Sequence, residues 1–91
     1  MIVEYTKEIK KTIAKLTDKI AKKRLNLLIE KLEKADNLKE INNVESLANH
    51  PFIYRIRTGN YRLIVKYYDG ALTILLLEYA KRNEKTYKNY N

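Results

Sequence analysis

The stretch Tyr54-Arg-Ile-Arg-Thr-Gly-Asn-Tyr-Arg62 holds the residue types and spacing in this 91-residue chain that could do chemistry. If Gly59-Asn60 is a two-residue turn between strands, Arg57 stands opposite Arg62 and Ile56 opposite Leu63, and one sheet face collects Arg55, Arg57 and Arg62. Like charges placed directly opposite on a sheet repel, so the pairing needs a reason. One reason is structural: arginine stems cover apolar surface, which Ile64, Leu75 and Leu77 supply on the same face. The other is chemical. A guanidinium fork fits a phosphate bidentately, and no carboxylate stands beside these arginines in the same strands. A phosphate site is the reading adopted. Downstream, Lys81, Arg82, Tyr87 and Tyr90 add two cations and two phenols within a short span.

What the chain lacks narrows the chemistry. It has no cysteine, so a thiol nucleophile, a disulfide scaffold and a cysteine-ligated metal are out. The single histidine, His50, precedes a proline and reads as a surface or capping residue, and paired-histidine catalysis fails by count. The carboxylates are scattered, with Asp69 in a turn and Glu78 on the helix-covered face or at its margin. No two-metal cluster assembles from them, and neither a metal nor a cofactor is called for. RNA opens a route without either, because its own 2′-hydroxyl attacks the adjacent phosphate once the strand is aligned and the developing negative charge is stabilised. Arginines and a tyrosine suffice. A free tyrosine, with a pKa of about 10, is a poor base at neutral pH. Nearby cations favour its ionised form, and its ring stacks on a splayed base.

These residues need a scaffold. Residues 2–5 form a short β-branched and aromatic run, an edge or central strand, and Thr6 is placed to cap a helix. Ile9, Ile13 and Leu16 recur at helical spacing; after a break near Thr17 and Asp18, so do Ala21, Leu25, Leu28, Leu32 and Ala35. The segment 36–46 reads as a polar, irregular connector with at most one helical turn. From Phe52 to Tyr79 the period is two, with turns at Gly59-Asn60 and Asp69-Gly70. If both turns are two-residue loops, Val65 stands opposite Ile74. Tyr54, Ile56, Leu63, Val65, Leu72, Ile74 and Leu76 then face the helices, while Arg55, Arg57, Arg62, Ile64, Lys66, Thr73, Leu75 and Leu77 face the other way. The expected fold is α+β: an N-terminal strand, a two-helix hairpin, an antiparallel three-strand meander packed on the helices, and a short C-terminal helix or tail. Residues 1–91 are read as one domain.

Nineteen Lys and Arg against eleven Asp and Glu give a net charge of +8, which attracts a polyanion before any specific contact forms. Lys10, Lys11, Lys15, Lys19, Lys22, Lys23 and Arg24 read first as a solvated helical face and second as ground for rRNA phosphates. No apolar run is long enough to cross a bilayer, and MIVEYTKE lacks the order of a signal peptide, so a cytoplasmic protein with no membrane partner is expected.

Taken together, Tyr54 through Arg62 and Leu63, the strand after it, Asp69-Gly70, a further strand, Lys81-Arg82 and Tyr87 resemble the RelE branch of the RelE/ParE toxin superfamily. The resemblance runs the length of the chain. It implies the toxin of a type II toxin–antitoxin system that enters the ribosome, cleaves mRNA without a metal, leaves a 2′,3′-cyclic phosphate and so inhibits translation. By the same resemblance Arg62 stabilises the transition state and Arg82 is the phosphate ligand or general acid. Tyr87, with Tyr90 as its rival, stacks on or activates the nucleotide. Arg55 and Arg57 match a basic pair that often contains lysine; an arginine accepts protons poorly, so the base role falls on Tyr87 or another group. Arg57, Arg62, Arg82 and Tyr87 are the candidate catalytic residues, and Arg55, Lys81 and Tyr90 the candidate substrate-binding ones. The implied partners are the ribosome, mRNA and an acidic, partly disordered cognate antitoxin. The alternative is a ParE-like DNA gyrase inhibitor, or an inactive homologue, with no RNA-cutting site.

Overall fold

The computed structural model describes residues 1–82; residues 83–91 lie outside the described part. Strand β1 (Ile2–Tyr5) leads into helix α1 (Lys7–Lys15), then α2 (Lys19–Lys34), a short 3-10 turn (Leu38–Glu40), and strands β2 (Val44–Leu47), β3 (His50–Thr58), β4 (Tyr61–Lys66) and β5 (Thr73–Lys81). The strands form one sheet in the order β1-β5-β4-β3-β2. Strand β1 runs parallel to β5 at one edge, and every other pair is antiparallel.

Local chemistry accounts for the helices. The Thr6 hydroxyl accepts from the Ile9 amide at 3.2 Å while donating to the Leu76 carbonyl at 3.0 Å, so the cap that starts α1 also ties it to β5. Asp18 starts α2 by accepting from the Ile20 and Ala21 amides at 3.1 and 3.0 Å. The expected apolar stripes then face the sheet: Ile9, Ala21, Leu25, Leu28 and Leu32 are buried, and Ile13 and Leu16 pack at the margin.

The sheet supplies the other half of the core through Ile56, Tyr61, Leu63, Val65, Tyr67, Ile74, Leu76 and Tyr79. Tyr61 and Tyr79 stack with centroids 4.8 Å apart, and the Tyr79 hydroxyl donates to the Ala21 carbonyl at 2.8 Å. Burial, reinforced by Tyr61, pushes the Tyr79 phenol up to about 12, so this ring is a neutral strut between sheet and helix.

The first expected register holds: Arg57 pairs with Arg62 and Ile56 with Leu63, across a turn where Gly59 takes a φ of 61°. The second does not. Residues 67–72 separate β4 from β5, Val65 pairs with Leu76 rather than Ile74, and Leu72 is 77% exposed instead of buried. The physical cause is Tyr67, which the core takes in and which meets Tyr54 edge-on at 6.5 Å, so the chain leaves the ladder before Asp69-Gly70. A register shift further along pairs Ile64 with Glu78. Paired residues share a face, so Glu78 lies on the arginine side, not under the helices. The connector, too, differs from the expected irregular segment. Val44–Leu47 is a strand, joined to β3 by a tight turn in which Asn49 adopts a φ of 66°, and β3 begins at His50 rather than Phe52.

Candidate functional site, an arginine cluster on the sheet face opposite the helices

Strand alternation sorts side chains into two populations. Leu63 and Val65 enter the core, while Arg62, Ile64 and Lys66 take the face opposite the helices. Across the β3–β4 ladder Arg57 meets Arg62 and Arg55 meets Ile64. Ala80 flanks Arg62 on β5 and shares its face. Arg82, two residues on, is held at the sheet end by its amide donating to the Asn60 carbonyl at 2.8 Å. The turn that fixes the Arg57–Arg62 pairing thus also anchors Arg82.

The electrostatics record this crowding. The Arg62 guanidinium is held below its ordinary value by burial first, then by the charges of Arg55, Arg82 and Arg57. Four of the expected site residues therefore feel one another. A phosphate arriving among them would offset the repulsion and compensate the desolvation with charge-assisted hydrogen bonds.

Glu45, which lies in the segment expected to be an irregular connector, closes the cluster on the β2 side. Its Oε2 takes the Arg55 Nη2 at 2.7 Å and its Oε1 takes the Arg57 Nη2 at 2.8 Å. One carboxylate holds two like charges side by side and offsets the repulsion that their placement creates. The Arg55 hydrogen bond and charge, then Arg57, hold the Glu45 carboxyl below the usual carboxylate range. Because the folded value is depressed, the stabilisation is present above the unfolded value and disappears as pH falls through the folded one. Melting curves taken down through the acid range are expected to show wild type losing stability faster than Glu45→Gln, the two converging at the acid end. Parallel curves would remove the clamp from the account.

Lys81 is placed differently from the arginines. It pairs with Tyr61, whose ring enters the core, so it leaves β5 on the opposite side from Arg62. It lines a cleft of about 580 Å³ at the end of the sheet together with Asp18, Asn60, Arg62 and Arg82. Lys81 thus borders the cluster from behind. Tyr87 and Tyr90 lie outside the described residues. His50 stands seven residues from Arg57 along β3, about 23 Å away in an extended strand, and is remote from the cluster. Among the described residues no group of three His, Asp or Glu is placed to hold a metal ion. Among them, too, no helix is long and apolar enough to cross a membrane.

No protein-family model and no curated protein matches the chain significantly by sequence. Solved structures do match by fold. A chain of the RelB–RelE antitoxin–toxin complex from Methanococcus jannaschii superposes with a TM-score of 0.72 at 22% identity, covering 87% of this chain and 89% of that one. The RelE–RelB complex of Pyrococcus horikoshii gives 0.71 at 24% identity, covering 92% and 97%. The isolated RelE toxin of Escherichia coli gives 0.68 at 15% identity, covering 92% and 86%.

Proposed function

We propose that this chain, which has the fold of the RelE toxins, is the toxin of a type II toxin–antitoxin pair and a metal-independent endoribonuclease acting on mRNA at the ribosome. The observation that carries the reading is the gathering of Arg55, Arg57, Arg62 and Arg82 around one patch, close enough that three of them depress the fourth. Such a patch suits a scissile phosphodiester. The RNA 2′-hydroxyl attacks its own phosphorus, the bond to the 5′-oxygen of the next nucleotide breaks, and a 2′,3′-cyclic phosphate remains. Arg62, half-buried and flanked by Arg57, stabilises the charge that builds on the phosphoryl oxygens. Arg82 serves as phosphate ligand or proton donor to the leaving oxygen, and Arg55 and Lys81 hold the flanking backbone. Tyr87, or Tyr90 in its place, stacks on the base and takes the hydroxyl proton.

The partner follows the charge. An acidic, partly disordered antitoxin neutralises the patch and covers exposed apolar ground such as Ile20 and Leu27 on α2, at 64% and 49% exposure. Beside Leu27 runs a groove of about 700 Å³ edged by Arg24, Lys31, Lys34 and Arg57. Its basic rim and apolar floor suit an acidic amphipathic segment.

Brief expression followed by mapping of RNA ends tests the reading. Cuts are expected inside translated codons and absent from the same message when it is not translated. Intact mRNA with arrested DNA replication would select the gyrase-type inhibitor instead. A second test uses salt. If the four arginines each engage one phosphate of a single strand, the binding constant falls by about 50-fold between roughly 50 and 200 mM salt, from a slope of about −0.7 per phosphate. A change below about fivefold would mean that no more than one or two phosphates are engaged.

A further inference from the structure

At the far end of the β3–β4 ladder two rings stand in solvent. Phe52 is 45% exposed and Tyr68 48%, and their centroids lie 4.4 Å apart at a 45° tilt. The Lys66 ammonium sits 5.6 Å from the centre of the Tyr68 ring. Lys66 belongs to the same face as Arg62 and Ile64, four residues along β4 from Arg62, which is about 14 Å of extended strand. Arg57, Arg62, Arg55 and Lys66 therefore share one face of the ladder, with the buried Ile64 and Ile53 between the arginines and the lysine. The two rings stand at the ladder's end, where Phe52 continues the opposite alternation of Tyr54 and Ile56 and meets Tyr68 around the edge.

The rings are held in place. Tyr67 is anchored in the core and its amide donates to the Phe52 carbonyl at 2.9 Å; the Ala71 amide closes the turn on the Tyr68 carbonyl at 2.8 Å. A pre-ordered aromatic surface binds at lower entropic cost than a mobile one. Asp69, the next residue in the turn, makes this end less suited to a phosphate than the arginine end, so the rings fit a base.

We infer that Phe52, Tyr68 and Lys66 form a stacking subsite for an unpaired base of the RNA whose scissile phosphate lies among the arginines, about two nucleotides of extended strand away. The inference rests on the nuclease reading and assigns the direction in which the strand leaves the site. Stacking on aromatic side chains tolerates any base, because every base has a π face, so the subsite grips the strand without selecting sequence.

The test uses the full chain and fluorescein-labelled 2′-O-methyl oligouridine, which cannot be cut because the attacking hydroxyl is blocked. Phe52→Leu with Tyr68→Leu keeps apolar bulk and removes the π faces. The double variant is expected to bind a strand of about ten nucleotides at least fivefold more weakly, while affinity for a strand of about two nucleotides is unchanged. Lys66→Gln is expected to lower the salt slope by about 0.7. Melting temperatures near wild type exclude unfolding as the cause. Unchanged affinity for the long strand, while Arg62→Ala weakens both lengths, overturns the subsite and leaves the nuclease reading standing. Undiminished RNA binding with lost antitoxin binding also overturns it, in favour of a protein-binding role. If the unmodified chain produces no mRNA cuts on expression, the nuclease reading falls and takes the subsite with it.

Discussion

Arg62→Ala is expected to lower RNA cleavage by about 10²- to 10³-fold, the effect of removing one preorganised donor to a developing oxyanion. The protein should fold as before, because the Arg62 side chain leaves the sheet on the face opposite the helices, where its ladder partners are Arg57 and Ala80. Taking away a partly buried cation that Arg55, Arg82 and Arg57 repel and Glu45 attracts should leave the melting temperature within a few degrees of wild type. Arg62→Lys should recover only part of the activity, since a point charge replaces a bidentate fork. Arg82→Ala should act in the same direction. If both guanidiniums serve one phosphate, the double variant will lose less than the product of the two single losses. The measurement pairs thermal melts with primer extension on a translated message at matched protein levels. Cleavage by Arg62→Ala within tenfold of the parent would take this residue out of the chemistry and leave the cluster as a binding surface.

The Arg57–Arg62 pairing was legible in the sequence for a definite reason. A two-residue Gly-Asn turn leaves the strands no freedom of register, so residue numbers alone fix which side chains meet. The Asp69-Gly70 turn carries the same kind of signal but was outweighed by Tyr67, whose burial holds the chain away from the ladder and throws Leu72 into solvent. Pattern reading assigns Tyr67 no such weight, because one aromatic residue fits a strand and a loop edge equally well. Glu45 was illegible for a different reason. Val44–Leu47 is a four-residue strand among asparagines, and its extended form comes from pairing with β3 rather than from its own composition. Its alternation of apolar and polar residues, followed by Ala48-Asn49 as a hairpin turn, was the available signal. In the sequence the site is therefore bare arginines, and the carboxylate that holds two of them comes only with the sheet.

The second large effect concerns Leu63, the next residue along the chain from Arg62. Leu63 has no exposed surface and packs on the helix side between its ladder partners Ile56 and Tyr79. Leu63→Ala is expected to cost about 2–5 kcal/mol from lost burial and the cavity left behind. A small domain holds a total of only about 5–15 kcal/mol, so the melting temperature should fall by about 10 °C or more. Leu63→Met keeps the volume and should cost less than about 1.5 kcal/mol. Growth inhibition by Leu63→Ala should weaken because fewer molecules are folded, while cleavage per folded molecule, measured in the cold, stays near the parent value. A melting temperature within a few degrees of wild type would mean that the sheet and helices are not joined through this residue. Arg62 and Leu63 predict opposite outcomes, chemistry lost with stability kept against stability lost with chemistry kept. The reason is strand geometry: successive side chains point to opposite faces, so one strand supplies the core on one side and the charged patch on the other. Any shift of β4 by a single residue would therefore turn the arginine toward the helices and the leucine away from them, which ties the register that stabilises this sheet to the register that assembles its site.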